Sequence, residues 1–195
     1  MFILIIHLLK GNPKCKINDY DKKQFCLCNP KDFPLISVFK SIHNNKNEDR
    51  QWSLECGALK GGVLGKEIDT GHEGVNQFDK DMNWEGWKIN KFLTGLESRH
   101  SNRKEDRKYY VFWAMSKSAW SISGCSKWNQ VNKADENINL VIPEGKVIGG
   151  LRSHHDNDAD DRIFKLKLCY LTCETAGYPC NSQTDTSTKD STKSS

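Results

Sequence analysis

The sequence contains no long hydrophobic segment. Its only continuous apolar run, Phe2 to Leu9, is far shorter than the roughly 20 residues that a transmembrane helix requires. Neither sign of charge is in large excess, because 29 Lys and Arg against 25 Asp and Glu leave a net charge of +4 in 195 residues. This balance argues against nucleic acid as a partner. No Asn-x-Ser/Thr acceptor occurs, so N-glycosylation is not expected.

The two ends of the chain are predicted to lie outside the folded domain. Residues 1–11 have the apolar character of a secretory signal peptide, and an incomplete N-terminus would explain why no basic residue precedes the run. A buried strand is the alternative for this segment. Residues 181–195 contain no aromatic or aliphatic side chain and are therefore predicted to form a disordered, Ser/Thr-rich tail.

Eight cysteines are present, but their spacing does not fit a zinc module. They are Cys15, Cys26, Cys28, Cys56, Cys125, Cys169, Cys173 and Cys180. Zinc modules favour two close pairs of ligands, or close pairs followed by nearby histidines, and neither pattern occurs here. The even number of cysteines instead indicates disulfides and secretion into an oxidising compartment.

The chain contains three copies of one sequence pattern. Residues 35–56 recur without a gap as 92–113 and 147–168. The copies share a Ser, a His, an Asn, an acidic pair, an Arg and an aromatic residue. This repeated signature comprises His43, Asn45, Asp49, Arg50 and Trp52; His100, Asn102, Asp106, Arg107 and Tyr109; and His155, Asn157, Asp161, Arg162 and Phe164.

An Asn-x-x-Asp segment precedes each copy, beginning at Asn18, Asn76 and Asn132, which lie 25, 24 and 23 residues before the matching His. Together the two signals define three repeats, at about 17–56, 75–113 and 131–169. Copies at such regular spacing indicate three equivalent structural units.

Each unit is predicted to be β-structure. Apolar side chains alternate after each Arg, as in Trp52, Leu54 and Cys56, and this is typical of a strand with one buried face. A second strand precedes it, where Gly95 and Gly149–Gly150 predict bulges or a close backbone approach. Units this small cannot bury a core alone, so we predict one all-β domain with three pseudo-symmetric units, either β-trefoil-like or β-prism-like, clipped by disulfides.

The repeated polar residues are interpreted as structural. Each Arg shares its strand face with a buried aromatic residue, so it needs a carboxylate from its own acidic pair or from a neighbouring unit. Asn45 and Asp49 are expected to bond backbone N–H groups in the turn. A His–acid–Arg catalytic site is the alternative, but catalysis needs one constellation in one cleft. No catalytic residue, cofactor or metal is therefore predicted.

Residues 15–173 resemble the dermatopontin family. Glu48-Asp-Arg-Gln-Trp52 and Asn18-Asp-Tyr-Asp21 carry the closest likeness to that family's signatures. The resemblance implies a secreted, non-enzymatic protein that binds proteoglycan glycosaminoglycans, collagen-associated matrix or a cell-surface receptor. It also implies a disulfide from Cys28, or its neighbour Cys26, to Cys56, and one from Cys125 to Cys169 or Cys173. A carbohydrate-binding agglutinin is the first alternative, and a secreted toxin or hydrolase the second.

Binding residues are predicted where positive charge is densest. Arg99, Arg103, Lys104 and Lys108 could face a sulfated glycosaminoglycan or an acidic protein, although a solvated loop of mixed charge is the alternative. Tryptophans outside the repeated strands could stack on sugar rings or seal the core; they are Trp84, Trp87, Trp120 and Trp128. The third loop resembles the start of a calcium loop but lacks its later ligands.

Overall fold

The architecture comes from a computed structural model that describes residues 14–16, 20–29, 35–57, 68–116 and 120–173. The predicted signal segment and tail lie outside these residues. The strands are β1 (Lys14–Lys16), β2 (Gln24–Leu27), β3 (Leu35–Asn44), β4 (Asp49–Gly57), β5 (Ile68–Gly74), β6 (Met82–Trp84), β7 (Lys91–Ser101), β8 (Asp106–Ser116), β9 (Trp120–Ser123), β10 (Asn129–Gln130), β11 (Ile138–Val141), β12 (Lys146–Asp156) and β13 (Asp161–Cys173). The described part of the chain has one helical element, a 3₁₀ turn at Gly86–Ile89. The prediction of an all-β fold is confirmed.

Three long antiparallel hairpins organise the fold. We call β3–β4 the first hairpin, β7–β8 the second and β12–β13 the third. Each hairpin lies in its own sheet, and the strand orders are β1-β4-β3-β11, β2-β7-β8-β5 and β10-β13-β12-β6, with β9 also pairing with β13. Three sheets, each built on one hairpin, are compatible with the predicted three-unit architecture.

Short strands connect these sheets in a cyclic order. β2 precedes the first hairpin in the chain but pairs with β7 of the second. In the same way β6 pairs with β12 of the third hairpin, and β11 pairs with β3 of the first. Each hairpin therefore takes an edge strand from the segment that precedes a different hairpin, so none of the three sheets is complete without another part of the chain.

The first strand of every hairpin has a register shift at the same position. The shifts fall between Ile36 and Val38, between Leu93 and Gly95, and between Ile148 and Gly150. At Gly95 an added Cβ would lie 2.3 Å from the carbonyl oxygen of Cys26 on β2. Glycine is needed there because the backbone of the edge strand passes too close for any side chain.

The core is centred on the aromatic residue of each repeat. Trp52, Tyr109 and Phe164 are almost fully buried, and their rings make mutual edge-to-face contacts at centroid distances of 5.0 to 6.1 Å. Such edge-to-face pairs contribute about 0.5–1.5 kcal/mol each beyond area burial. One side chain from each hairpin therefore closes a shared core, as the alternating pattern predicted.

Two disulfides between described residues tie segments to this core. Cys28, after β2, is bonded to Cys56 on β4, and Cys125, in the loop after β9, is bonded to Cys169 on β13. The first bridge links two sheets, because β2 belongs to the sheet of the second hairpin and β4 to that of the first. Within the described residues, no helix has the length and apolar character needed to cross a bilayer.

Candidate functional site

The arginines of the repeat form a cyclic set of ion pairs between hairpins. Arg107 of the second hairpin donates from Nε and Nη2 to Asp49 of the first, at 2.5 and 2.6 Å. Arg162 of the third hairpin pairs in the same way with Asp106 of the second, at 2.6 and 2.7 Å. Arg50 of the first hairpin completes the cycle with a bidentate pair to Asp161. The carboxylate partner thus comes from another unit, which is one of the two sources that the sequence predicts.

Two of the three remaining N–H groups of each guanidinium are bonded as well. Nη1 of each Arg donates to the Ser of its own hairpin, at 3.1 to 3.3 Å; these serines are Ser41, Ser98 and Ser153. Each Arg also donates to one backbone carbonyl, of Glu136, Lys22 or Lys80. The three arginines are 2–3% exposed. Burial of a charge is tolerated here because each is paired and hydrogen-bonded.

The upstream Asn-x-x-Asp segments clamp the same ion pairs. The backbone N–H of Asp79 donates to Asp106, and that of Asp135 donates to Asp161. The Asn132 side chain accepts from the Phe164 N–H and donates to the Arg162 carbonyl, and Asn76 makes the same two bonds in the second unit. Asn18 lies outside the described residues. The two sequence signals therefore belong to one hydrogen-bonded structure.

Each repeated His lies against two carboxylates. His43 is 3.2 Å from Asp135 and 3.3 Å from Asp161, and its side chain is 1% exposed. Neither contact has hydrogen-bond alignment. Burial by itself would raise the pKa of Asp161, but the His43 ring and the Arg50 guanidinium outweigh burial and hold that pKa at about 2.

The turn geometry differs in detail from the sequence prediction. In the first hairpin the side chain of Asn44, not Asn45, accepts from backbone N–H groups of Lys46 and Asn47. Asn45 and Asn102 are exposed. Asn157 bonds the Nδ1 atom of His155 at 2.8 Å. The Asn column of the repeat is thus not the shared turn acceptor in the described structure.

The last residue of each turn brings three carboxylates together. Glu48, Glu105 and Asp160 have positive φ angles of 47°, 46° and 44°. One carboxylate oxygen of each lies within 4.8 Å of the others. Repulsion from Glu48 and Asp160, with some burial, raises the pKa of Glu105. We call this group the carboxylate triad. In the sequence these residues are only an acidic position of the repeat, because the three carboxylates come together only when the hairpins are folded.

The predicted basic residues occupy two places on the second hairpin. Arg99 and Lys108 are direct cross-strand partners on its outer face. Arg99 lies 5.5 Å from the Tyr110 ring centre and also contacts Glu97 at 3.1 Å, while the Lys108 ammonium lies 4.8 Å from the Phe78 ring centre. The other two predicted cations, Arg103 and Lys104, are exposed in the turn, where Lys104 pairs with Asp79 at 2.6 Å.

Aromatic rings continue along this outer face. Phe25 of β2 is 48% exposed and packs edge-to-face on Phe112 at 5.2 Å. His72 of β5 stacks on the other side of Phe112 at 5.6 Å. Strand alternation directs Tyr109 and Val111 inward and Tyr110 and Phe112 outward. The face therefore presents aromatic rings beside two cations, which we call the aromatic–basic face (Phe25, His72, Arg99, Lys108, Tyr110 and Phe112).

A groove of about 420 Å³ lies on the outer face of the third hairpin. Trp128 lines it, and the Arg152 guanidinium lies 4.2 Å from the centre of the Trp128 ring. Lys165, the cross-strand partner of Arg152, lines the same groove. Arg152 and Lys165 were not predicted as binding residues from the sequence. The alternation of Lys165 and Lys167 with the inward-facing Phe164 and Leu166 indicates that cations lie on the outer face of this strand.

The other tryptophans have packing roles. Trp84 is buried at 4% exposure, and its indole N–H donates to Glu73. Trp87 and Trp120 pack against a second buried cluster around Phe92 and Cys169. Of the four tryptophans proposed for sugar stacking, Trp128 is the one that lines the groove.

Comparison of the sequence with protein-family models identifies the family of this chain. The family model described as Dermatopontin matches residues 18–173. The chain belongs to the dermatopontin family. The predicted family is thereby confirmed, and the match covers the three hairpins and the three upstream Asn-x-x-Asp segments.

Three proteins similar in sequence to this chain have different names and come from different organisms. Millepora cytotoxin-1 of Millepora dichotoma is 33% identical over 80% of this chain and 67% of its own length. The hemagglutinin/amebocyte aggregation factor of Limulus polyphemus is 30% identical over 80% and 87%. Dermatopontin of Biomphalaria glabrata is 32% identical over 69% and 87%. No solved structure matches this chain.

Proposed function

We propose that this protein is a secreted, non-catalytic adhesion protein that binds sulfated glycosaminoglycans of matrix or cell surfaces through the aromatic–basic face. Membership of the dermatopontin family and similarity to an aggregation factor support an extracellular matrix or carbohydrate-binding role. The observation that carries the finer proposal is the pair Arg99 and Lys108, which lie side by side and next to partly exposed aromatic rings.

This arrangement suits a sulfated sugar chain. Guanidinium and ammonium groups bind sulfate oxygens by charge-assisted hydrogen bonds, and the apolar faces of sugar rings pack on aromatic side chains. Arg103 in the adjacent turn adds an exposed cation that takes no part in the ion-pair cycle. Binding to glycosaminoglycan chains would also attach the protein indirectly to collagen-associated matrix and to cell-surface receptors.

The state of the repeated polar residues supports a non-catalytic role. The carboxylates of Asp49, Asp106 and Asp161 each accept two hydrogen bonds from a buried Arg of another hairpin. Three equivalent Arg–Asp pairs that satisfy one another have a structural explanation. A hydrolase would instead need one such group free in one cleft.

The proposal is tested by binding to immobilised dermatan sulfate or heparan sulfate over a salt series. We expect salt-sensitive binding that weakens at least about fivefold in the double variant Arg99→Gln/Lys108→Gln. The matched control, Lys127→Gln/Lys133→Gln, removes two exposed cations elsewhere and should change affinity less than twofold. Binding that is indifferent to salt, or equally weakened in both variants, would contradict the aromatic–basic face as the site.

A second candidate is an agglutinin that binds uncharged sugars in the third-hairpin groove. The groove of about 420 Å³ falls in the size range of small-ligand sites, and Trp128 supplies a stacking ring. Cell clumping that simple sugars inhibit, that Trp128→Ala abolishes, and that salt does not affect would favour this candidate. Lysis of the same cells would instead support the toxin alternative, which the similarity to a cytotoxin motivates.

A further inference from the structure

We propose that the carboxylate triad binds one divalent cation of the calcium type, with one ligand from each hairpin. One oxygen each of Glu48, Glu105 and Asp160 lies within 4.8 Å of the others. Calcium binds oxygen at 2.3–2.6 Å, so two of its ligands are at most about 5 Å apart. An ion at the centre of the three oxygens would be at most about 2.8 Å from each, so a small side-chain adjustment would bring all three to calcium-bonding distance, and water would fill the other coordination positions.

A buried histidine supplies the independent evidence for a ligand at this place. His100 lines the same pocket as the three carboxylates, a space of about 20 Å³ that suits one ion or water. Its side chain is 3% exposed, yet neither ring nitrogen has a hydrogen-bond partner. The nearest charged atom, Asp21 Oδ1, is 3.3 Å from Nδ1 without hydrogen-bond alignment.

An unpartnered imidazole in a buried position is destabilising, because it has lost its hydrogen bonds to water and gained none in return. A cation-bound water would satisfy it, because such a water donates its protons readily and an imidazole nitrogen with a lone pair can accept one. His100 would then orient the bound water and not contact the ion, in the manner of an outer-shell residue.

The charges around the triad also favour a cation. Among the described residues, no Lys or Arg forms an ion pair with Glu48, Glu105 or Asp160. The three arginines that line the pocket are each neutralised by a bidentate Asp. Three carboxylates thus face one another and repel one another. A divalent ion would remove this repulsion.

The three Asp–Asp–His groups nearby fit a metal less well. Asp49, Asp106 and Asp161 already accept two bonds from an Arg and one from a backbone N–H. A cation there would have to displace a buried guanidinium. The triad has no such competitor, and its oxygen-only ligand set suits calcium better than zinc.

Calcium titration of the chelator-treated full chain by calorimetry tests the proposal. We expect one ion per chain, a dissociation constant of roughly 10⁻⁴–10⁻³ M as in extracellular calcium modules, and a higher unfolding midpoint in calcium. Glu105→Gln should weaken binding at least tenfold and remove most of that rise. Without calcium the same variant should be no less stable than the parent, because it relieves repulsion, and this comparison separates lost binding from lost folding.

Asp158→Asn is the matched control, because it removes a carboxylate from the same turn as Asp160 without touching the triad. It should bind calcium with unchanged affinity. No binding at millimolar calcium, full binding in Glu105→Gln, or loss in Asp158→Asn would each overturn the proposal. The glycan assay is independent, since Gln at position 105 leaves Arg99 and Lys108 in place.

Discussion

Arg107 and Asp49 are 58 residues apart in sequence and form a bidentate ion pair that joins the second hairpin to the first. Both side chains are nearly inaccessible, at 3% and 1% exposure. The same pairing of Arg162 with Asp106 and of Arg50 with Asp161 closes a cycle. Removal of one member leaves its partner buried and uncompensated.

Asp49→Asn should therefore destabilise the fold by about 3–5 kcal/mol, because a buried charge that loses its partner keeps its desolvation cost. Urea unfolding with the disulfides intact measures the loss. The double variant Asp49→Leu/Arg107→Met should lose less than Asp49→Asn, since it leaves no lone charge. The control Asp81→Asn, at an exposed position, should stay within about 0.5 kcal/mol; equal effects at positions 49 and 81 would contradict the buried-pair account.

Acid should weaken the fold through Asp161. Its pKa is about 2 in the folded protein against 3.8 for the unperturbed group. Because the folded value is the lower one, this contribution is present above pH 4 and is lost as pH falls toward 2. The loss attributable to this group is roughly 2 kcal/mol. Urea midpoints at pH 5 and pH 2.5 report it, and Asp161→Asn should show a flatter dependence over that interval; a slope unchanged by the substitution would argue against Asp161.

High pH should destabilise the fold through ionisation of the Tyr109 phenol. Burial raises the pKa of this phenol to about 12, from 10.0 in the unperturbed group. Since the folded value is higher, the contribution is complete below pH 10 and is lost between about pH 10 and 12 as the unfolded chain ionises.

Tyr109→Phe removes that ionisation and keeps the ring contacts with Trp52 and Phe164. Its stability relative to the parent should thus rise between pH 10 and 12. Thermal midpoints of the two proteins at pH 8 and pH 11 give the comparison. Parallel pH profiles would mean that the phenol is not buried in solution.

The close approach of β2 to the second hairpin makes Gly95 difficult to replace. A Cβ at this position would lie 2.3 Å from the Cys26 carbonyl oxygen and 2.8 Å from the Leu27 Cα. We expect Gly95→Ala to cost about 1–3 kcal/mol, since backbone must move. Gly57→Ala is the control, because its nearest neighbour is the Ser37 Cβ at 3.3 Å, and it should cost clearly less. Hydrogen exchange of the β2 amides would show whether the edge strand is the part that loosens.

The sequence by itself determined the strands, the buried faces and the family. Alternation after each Arg placed Trp52, Tyr109 and Phe164 inside, because a strand has only two faces and one was apolar. Equal spacing of the copies indicated three units, and the dermatopontin signatures were local enough to read directly. Glycine at position 95 also marked the close backbone approach.

Contacts between hairpins were decided only by the tertiary structure. The sequence required a carboxylate for each Arg but left its source open, since a local pair and a neighbouring unit satisfy the same chemistry. The cyclic order of edge strands resolves that choice, because it sets each Arg against the Asp of a different hairpin. The convergence of Glu48, Glu105 and Asp160 has the same origin: residues 57 and 55 positions apart along the chain meet only when three turns meet in space.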